Sequence, residues 1–224
     1  MKDRIMIKRI AQWLACLAIA ALATGCATPK PYDYTAYKQS RPRSILVLPP
    51  LNESPEVAAS LSMLSQVTMP LAEAGYYVLP VTLVEETFKQ NGMSTASDIH
   101  GVAPAKLKDI FGADAALYVT VSKYGTSYSV ISSDTIVSAS AKMVDLKTGA
   151  VLWTGSASAS NNEGNNNNSG GLVGILVTAA LKQIINTATD ASHDVAGITS
   201  QRLFSTGYNG GLLYGPYSPK YGTD

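Results

Sequence analysis

The ordered part of the chain is predicted to begin with Ser44-Ile45-Leu46-Val47-Leu48-Pro49-Pro50. The continuous apolar run in this stretch is typical of a strand covered on both faces, and the two prolines end it. Polar residues and Pro55 then predict the start of a helix, which carries apolar residues at helical spacing as far as residues 74–75. Pro70 lies inside this helix and is expected to kink or restart it. Because residues 76–80 are again strand-like, the chain opens as a β-α-β unit.

The next segments continue the alternation of helices and strands. Apolar spacing and end signals predict helices over residues 83–90 and 104–111, and residues 115–121 form a largely buried strand. This alternation favours an α/β arrangement with a mainly parallel start. Glu85 and Glu86 are expected to begin the first of these helices, where the helix dipole explains them more simply than acid–base catalysis does.

The second half of the domain changes to alternating polarity between residues 127 and 160. Asp145-Leu146-Lys147-Thr148-Gly149 lies between two such runs and predicts a tight hairpin. One face is expected to be apolar and rich in alanine, with Trp153 as its large anchoring side chain. Its members are Val137, Ala139, Ala141, Met143, Val151, Trp153, Ala157 and Ala159.

These patterns together predict an α/β fold with α+β character. It consists of a mixed sheet with a β-α-β opening and an antiparallel C-terminal hairpin, with helices packed on it. A helix over residues 172–185, nearly free of charge, is expected to approach the alanine-rich face. It is too short for a transmembrane span. It is either fully buried in the domain or shared with a partner subunit, and the candidate interface residues are then Leu172, Ile175, Leu176 and Ile184. A further amphipathic helix is predicted over residues 188–204.

The first 25 residues have the pattern of a lipoprotein signal peptide. A basic start precedes an apolar run over residues 10–23, and Ala23-Thr24-Gly25-Cys26 follows it. Small residues before a cysteine look like a bacterial lipobox, although its usual leucine is displaced by one position. This motif implies diacylglyceryl transfer to the sulfur of Cys26, cleavage between Gly25 and Cys26, and acylation of the new amino group. The alternative is an ordinary secretory signal with an incidental cysteine.

The remaining segments divide the mature chain into an acylated tether, a domain and a tail. Residues 26–43 contain prolines and tyrosines without a helical period and predict a tether, and residues 44–205 form a single domain. The tail, 206–224, is rich in Gly, Pro and Tyr. It either lies over the domain, held by Leu212, Leu213 and Tyr214, or binds a partner, with Tyr214 and Tyr217 as candidate contacts. Ala27 in place of Asp after Cys26 favours the periplasmic face of the outer membrane, by the sorting rule of enteric bacteria.

The sequence predicts no catalysis, cofactor, metal or small-molecule substrate. His100 and His193 are isolated, and no cysteine besides Cys26 remains in the mature chain to form a disulfide or bind a metal. A phosphate-binding loop and a nucleophile turn are both missing from the sequence. The nearly neutral charge argues against nucleic acid as a partner. The groups expected on the protein are therefore the covalent diacylglycerol and N-acyl lipid on Cys26.

The lipobox, residues 44–50, the strand 115–121, the hairpin 144–153 and the Asn/Gly loop before the apolar helix together resemble a family of Gram-negative lipoproteins of unknown function. The resemblance implies a fold similar to the N-terminal domain of TolB, and more loosely to CsgG and LpoB. It also implies an envelope location and no catalytic residue.

Two functions follow from these observations. The first is an outer-membrane assembly subunit of an envelope transport or secretion complex, forming homo-oligomers and contacting other envelope proteins. The second is a lipoprotein regulator of a periplasmic cell-wall enzyme. A short tether limits how far the second could reach from the membrane.

Overall fold

A computed structural model describes residues 30–128, 133–163 and 191–224. Residues Asp33–Asp224 form one compact unit. Its helices are α1 (Thr35–Ser40), α2 (Ala59–Glu73), α3 (Val81–Gln90), α4 (Ala96–His100), α5 (Pro104–Phe111) and α6 (Ala191–Leu203). Its strands are β1 (Ser44–Val47), β2 (Leu51–Asn52), β3 (Tyr77–Val78), β4 (Ala115–Tyr128), β5 (Ser133–Asp145) and β6 (Val151–Ser160).

These strands form one mixed sheet in the order β3-β1-β4-β5-β6, and β2 pairs with the distal part of β4. Strand β1 is parallel to both β3 and β4, whereas β4, β5 and β6 are antiparallel to one another. Ile45, Leu46 and Val47 are at most 1% exposed, as the apolar run predicts for a strand covered on both faces. The structure thereby confirms the predicted fold class, with its β-α-β opening and its antiparallel hairpin.

Helices cover the two faces of the sheet unequally. On one face, α2 and α6 pack together, and α6 lies on β5 and β6. On the other face, α3, α4 and α5 cover the parallel half of the sheet. Their core there consists of Leu46, Leu48, Val84, Phe88, Ile99, Leu107, Ala113, Ala116 and Leu146. On the antiparallel half of this second face, His100 at the end of α4 packs on Tyr118, and beyond that row no described helix makes extensive contact.

The predicted hairpin forms around the carboxylate of Asp145. Its Oδ1 accepts hydrogen bonds from the backbone N–H groups of Lys147 and Thr148 at 2.9 and 2.7 Å, and from Thr148 Oγ1 at 2.9 Å. Gly149 has a φ of 75° and donates to the Asp145 carbonyl at 2.8 Å. A glycine is favoured at such a left-handed position because it has no Cβ.

A β-bulge follows the turn and changes the predicted alternation. The register moves from Met143 opposite Trp153 to Val144 opposite Val151, so Leu152 is the extra residue. Leu152 is therefore buried and Val151 is 50% exposed, the reverse of the sequence prediction. Beyond the bulge the prediction holds for Trp153, which is 1% exposed, and for Ala159.

Helix α2 runs through Pro70 as one helix, so the restart, one of the two expected alternatives, does not occur. Proline has no N–H group, so it leaves the carbonyl of Gln66 without its helical partner. The hydroxyl of Ser200, on α6, donates to that carbonyl at 2.9 Å. Ser200 is fully buried, so this hydrogen bond gives the Gln66 carbonyl a partner within the α2–α6 contact.

The alanine-rich face is covered by α6, the helix that the sequence describes only as amphipathic. Thr199 is fully buried against β5, and its single hydroxyl proton is shared between the Val195 carbonyl of its own helix at 2.9 Å and the Val137 carbonyl of β5 at 3.2 Å. The small side chains of Ala139 and Ala141 leave room for this close approach. The helix predicted over residues 172–185 lies outside the described residues.

The position of Glu85 and Glu86 also differs from the prediction. Helix α3 begins at Val81, so neither carboxylate lies in its first turn. Glu85 instead pairs with Lys89 one turn later at 2.8 Å, and Glu86 accepts from Gln90 at 3.0 Å. Both residues are explained as surface pairs along the helix.

Candidate interaction surfaces

The segment before the sheet was predicted as a tether, and its last part is wrongly assigned. Helix α1 forms there, with Thr35 N donating to Asp33 Oδ1 at 2.9 Å and Arg41 ending it in the left-handed conformation. Six residues do not form a stable helix by propensity alone, so packing must hold it. Tyr37 supplies that packing, because it is only 3% exposed.

Two buried phenols connect α1 to the end of α2 and to the tail. Tyr76 Oη donates to the Leu213 carbonyl at 2.6 Å and lies 2.6 Å from Tyr37 Oη. Since the Tyr76 proton points to the carbonyl, Tyr37 donates to Tyr76. Burial raises the pKa of both phenols well above its usual value, so both stay protonated. This pair is structural, and the tyrosine spacing in the sequence did not predict it.

The tail lies over the domain surface. Leu212 and Leu213 are buried, which is the first of the two alternatives left open by the sequence. Gly215 N donates to the Ala74 carbonyl at 2.8 Å, and Tyr217 N donates to the Gly75 carbonyl at 3.0 Å. Gly75 has a φ of 95° and a Cβ there would collide with Ser218, so glycine is required on both counts.

The two ends of this unit also bond directly to each other. Tyr34 Oη donates to the Gly211 carbonyl at 2.6 Å, and Trp153 Nε1 donates to the neighbouring Gly210 carbonyl at 3.0 Å. Lys38 Nζ donates to the Asp224 backbone oxygen at 3.2 Å. The predicted contact residues Tyr214 and Tyr217 lie in this region, half-buried and 64% exposed respectively. Their role in binding a partner remains a prediction.

The open antiparallel half of the sheet presents a face of short polar side chains, here called the hydroxyl face. Strand pairing arranges it in three rows across β4, β5 and β6. The rows are Tyr118, Lys142 and Thr154; Thr120, Ser140 and Ser156; and Lys123, Ser138 and Ser158. Within the last row, Ser138 Oγ and Ser158 Oγ lie 2.8 Å apart.

The proximal end of the hydroxyl face borders His100. His100 Nε2 bonds to the Pro49 carbonyl at 2.9 Å, and the ring packs edge-on against Tyr118 at 5.2 Å. Burial lowers the pKa of His100, and this outweighs the opposing effect of the Pro49 hydrogen bond. The imidazole is therefore neutral at neutral pH. It is a packed side chain at the border of the face.

His193 joins α6 to α2. Tyr124 Oη donates to Ser62 Oγ at 2.8 Å, Ser62 Oγ lies 2.8 Å from His193 Nδ1, and His193 Nε2 lies 2.8 Å from the Gln66 amide. A Ser–His contact of this length also occurs in nucleophilic enzymes, where a carboxylate orients the second ring nitrogen. Here an amide occupies that position. The arrangement is explained by helix packing.

Further observations concern metals and membrane spans. Among residues 30–128, 133–163 and 191–224, no cluster of three or more His, Cys, Asp or Glu residues could hold a metal ion. Across the same ranges, no helix is long and apolar enough to cross a bilayer. The remaining predicted site residues lie outside the described part of the chain and stay predictions: Gly25, Cys26, Leu172, Ile175, Leu176 and Ile184.

Comparisons with known proteins give consistent results. Residues 32–217 match the family described as "Putative lipoprotein GNA1162-like". The protein named Putative lipoprotein NMB1124/NMB1162, from Neisseria meningitidis serogroup B, is 50% identical over 207 residues, which cover 91% of this chain and 94% of that protein. The crystal structure of lipoprotein GNA1162 from Neisseria meningitidis is 57% identical, with a TM-score of 0.53, and the match covers 65% of this chain and all of that one.

A more distant match is the C-terminal domain of LpoB from Salmonella enterica. It is 17% identical with a TM-score of 0.38, over 57% of this chain and 98% of that one. The names of the family and of the two Neisseria relatives describe lipoproteins. The family match spans most of the chain and confirms the resemblance inferred from the sequence. The chain belongs to the GNA1162-like lipoprotein family.

Proposed function

We propose that this protein is a non-catalytic assembly subunit of an envelope transport or secretion complex, anchored by lipid to the periplasmic face of the outer membrane. The observation that carries the proposal is the hydroxyl face. It extends over three long antiparallel strands, and beyond the row of Tyr118, on which His100 of α4 packs, no described helix makes extensive contact with it. An open sheet face can simply be solvated. Its shape and chemistry also suit a protein partner.

The hydroxyl face carries little charge, and its proximal part is a shallow concavity lined by Tyr118, Thr120, Ser140, Lys142 and Thr154. Ser140, Thr154 and Ser156 are exposed, and their short side chains lose little conformational entropy when a partner covers them. Lys123 and Lys142 are its charged members. Lys142 Nζ lies 5.1 Å above the Tyr118 ring, which holds it to one side. Hydroxyls can donate and accept hydrogen bonds, so the face can pair with polar groups of either kind.

The edge of the sheet adjoins this face. Strand β6 has ten residues and β5 as its sole neighbour within the described sheet. Arg202 Nη1 donates to the Ser158 carbonyl at 2.8 Å, and Ser160 N donates to Glu163 Oε1 at 2.8 Å. These side chains cover the distal end of the edge. They disfavour uncontrolled strand pairing there and favour contact through the face.

The lipid anchor is the second part of the proposal. Membership of the family supports the proposal that the protein is a lipoprotein. The lipobox indicates Cys26 as the residue that carries the diacylglycerol and N-acyl groups. Several acyl chains on one residue hold a protein firmly on a bilayer. Residue Ala27 after Cys26 supports the outer membrane as its location.

The alternative function, regulation of a cell-wall enzyme, requires the domain to reach away from the membrane. Helix α1 shortens the available tether, because the compact unit begins at Asp33, seven residues after Cys26. At about 3.6 Å per residue these seven residues span at most about 25 Å. The structure thus favours the assembly subunit over the regulator.

Site-specific photocrosslinking in cells tests the assembly role. A photoreactive amino acid at Ser140 or Ser156 should give adducts that mass spectrometry identifies as a second copy of this chain or as an envelope transport protein. Leu83 is the matched control, because it is 65% exposed but lies on α3, away from the hydroxyl face. Equal labelling at all three positions, or none at the two serines, would contradict the proposal.

The lipid anchor has its own test. Replacing Cys26 by Ser should release the protein from membranes or leave an uncleaved precursor. Membrane fractionation followed by mass measurement of the product distinguishes these results. A mature-sized product that stays in the membrane to the same extent would refute acylation at Cys26.

A further inference from the structure

The compact unit begins close to the proposed lipid attachment. Six residues lie between Cys26 and Asp33, and the seven Cα-to-Cα steps allow at most about 25 Å. Strand β4 alone has 14 residues and is therefore about 45 Å long. The link is short relative to the domain. The end of the domain that carries α1 must consequently stay near the bilayer when Cys26 is acylated.

That end has a distinct surface, here called the α1–tail surface. Tyr34, Tyr208 and Lys220 line one concavity on it. Lys38, Arg41 and Tyr221 line the adjacent one. Tyr214 and Asp224 border both concavities, and Lys220 Nζ lies 5.5 Å above the Tyr214 ring.

Two strongly exposed aromatic side chains lie on the α1–tail surface itself. They are Tyr208 and Tyr221, which are 53 and 47% exposed. Tyr217 is 64% exposed, and its backbone N–H donates to the Gly75 carbonyl, next to Tyr76. Tyr77 is 56% exposed but lines a separate concavity with Leu79 and Phe111.

Tyrosine beside lysine and arginine suits the headgroup layer of a bilayer. The phenol ring is amphipathic and is enriched at the membrane–water interface. Lysine and arginine can donate hydrogen bonds to lipid phosphates. The charges of Lys38, Arg41 and Lys220 are largely balanced by Asp33 and Asp224. Attraction to anionic lipid is therefore a minor contribution, and the tyrosines carry the contact.

From these observations we infer that the α1–tail surface lies against the phospholipid headgroups of the membrane that holds the anchor. This inference rests on the proposed acylation of Cys26. It orients the protein: the tail and α1 face the bilayer, and the distal ends of β4, β5 and β6 point away. The hydroxyl face is then presented sideways, along the membrane, where neighbouring subunits can reach it.

Collisional quenching of a fluorescent label tests this orientation. The full-length acylated protein is prepared with Tyr208→Cys or Tyr221→Cys, labelled, and reconstituted in vesicles of phosphatidylethanolamine and phosphatidylglycerol. Acylation blocks the sulfur of Cys26, so the introduced thiol is the one that reacts. Val57→Cys is the control. It is 91% exposed, and its neighbour Glu56 lies beside Gly125, about 30 Å along β4 from Ala115.

At positions 208 and 221, the inference predicts severalfold protection from a water-soluble quencher and efficient quenching by a headgroup-labelled lipid. The label at position 57 should show the opposite behaviour. Equal access of the aqueous quencher to all three labels would overturn the inference. Shielding of 208 and 221 from both quenchers would overturn it as well, because a protein would then cover the surface.

Flotation of the same vesicles separates this inference from the proposed function. A protein that floats with the vesicles but has its labels in water keeps its anchor and lacks the proposed orientation. A protein that fails to float has no functional anchor, and both proposals then fail. In that case Cys26 would also react with the label, which mass spectrometry detects.

Discussion

The two faces of the antiparallel half are built from alternate residues of the same three strands, yet they differ completely in their surroundings. Val137, Ala139 and Met143 on β5 are at most 3% exposed beneath α6, whereas Ser138, Ser140 and Lys142 between them are partly or fully exposed. One face packs against α6, and the other carries no such helix among the described elements. If the proposed assembly role of the second face is correct, substitutions one residue apart should alter stability and assembly separately.

The largest effect should come from the centre of the covered face. Trp153→Ala removes a side chain that is 1% exposed, packs against Phe204 with ring centroids 6.1 Å apart and donates to the Gly210 carbonyl. We expect a loss of about 3–5 kcal/mol in the free energy of unfolding, measured by urea denaturation. The adjacent control Thr154→Ala, on the hydroxyl face, should change it by less than about 0.5 kcal/mol. Similar losses in the free energy of unfolding for both variants would show that the two faces contribute equally to stability.

A smaller effect is expected where α2 and α6 meet above the covered face. Ser200→Ala leaves the Gln66 carbonyl without a partner and should cost about 1–3 kcal/mol. Pro70→Ala restores an N–H group that can bond to this carbonyl within the helix. The cost of Ser200→Ala should therefore be smaller in the Pro70→Ala background. A double-mutant cycle with purely additive unfolding free energies would contradict this account.

The hairpin joining β5 to β6 should make stability depend on acid. Burial raises the pKa of Asp145, but hydrogen bonds from Ser40, Thr148 and Lys147 outweigh it and leave the pKa lowered. A lowered pKa contributes stability above the unfolded value of about 3.9, and that contribution is lost as pH falls through the folded pKa. Asp145→Asn should cost about 1 kcal/mol at neutral pH, and the gap to the wild type should narrow below about pH 4.

Urea unfolding at several pH values measures this effect. Asp109→Asn is the control, because the side chain of Asp109 is exposed on α5. A constant difference between Asp145→Asn and the wild type across the whole pH range would show that the charge of Asp145 plays no part.

The smallest effect on stability should come from the hydroxyl face itself. Ser140→Arg adds bulk and charge to an exposed position, so the free energy of unfolding should change by about 0.5 kcal/mol or less. The same variant should nonetheless reduce crosslinking through Ser156, because it blocks the neighbouring position in the same row. Thermal denaturation beside crosslinking checks both expectations. Unchanged crosslinking would show that the hydroxyl face takes no part in assembly.

Local patterns predicted the fold wherever neighbouring residues decide the structure. The apolar run 45–48, the turn at Asp145 and the helix Pro104–Phe111 were all placed correctly. Predictions failed where a distant residue intervenes. The helix around Tyr37 depends on Tyr76 and the tail, and the unbroken course of α2 depends on Ser200. The exchange of Val151 and Leu152 follows from a bulge that a strictly alternating pattern cannot show.

Sequence patterns alone predicted the mixed sheet and the two faces of its hairpin. They also identified Cys26 as the candidate residue for lipid attachment. The sheet and the hairpin could be predicted from hydrophobic periodicity and turn residues, and Cys26 was identified from a short motif. All of these signals extend over a few neighbouring residues. Tertiary structure alone decided that α6 covers one face while the hydroxyl face stays open among the described elements. It also decided that the two ends of the unit pack together. Those outcomes depend on contacts between residues as far apart as Tyr34 and Gly211, which no local pattern encodes.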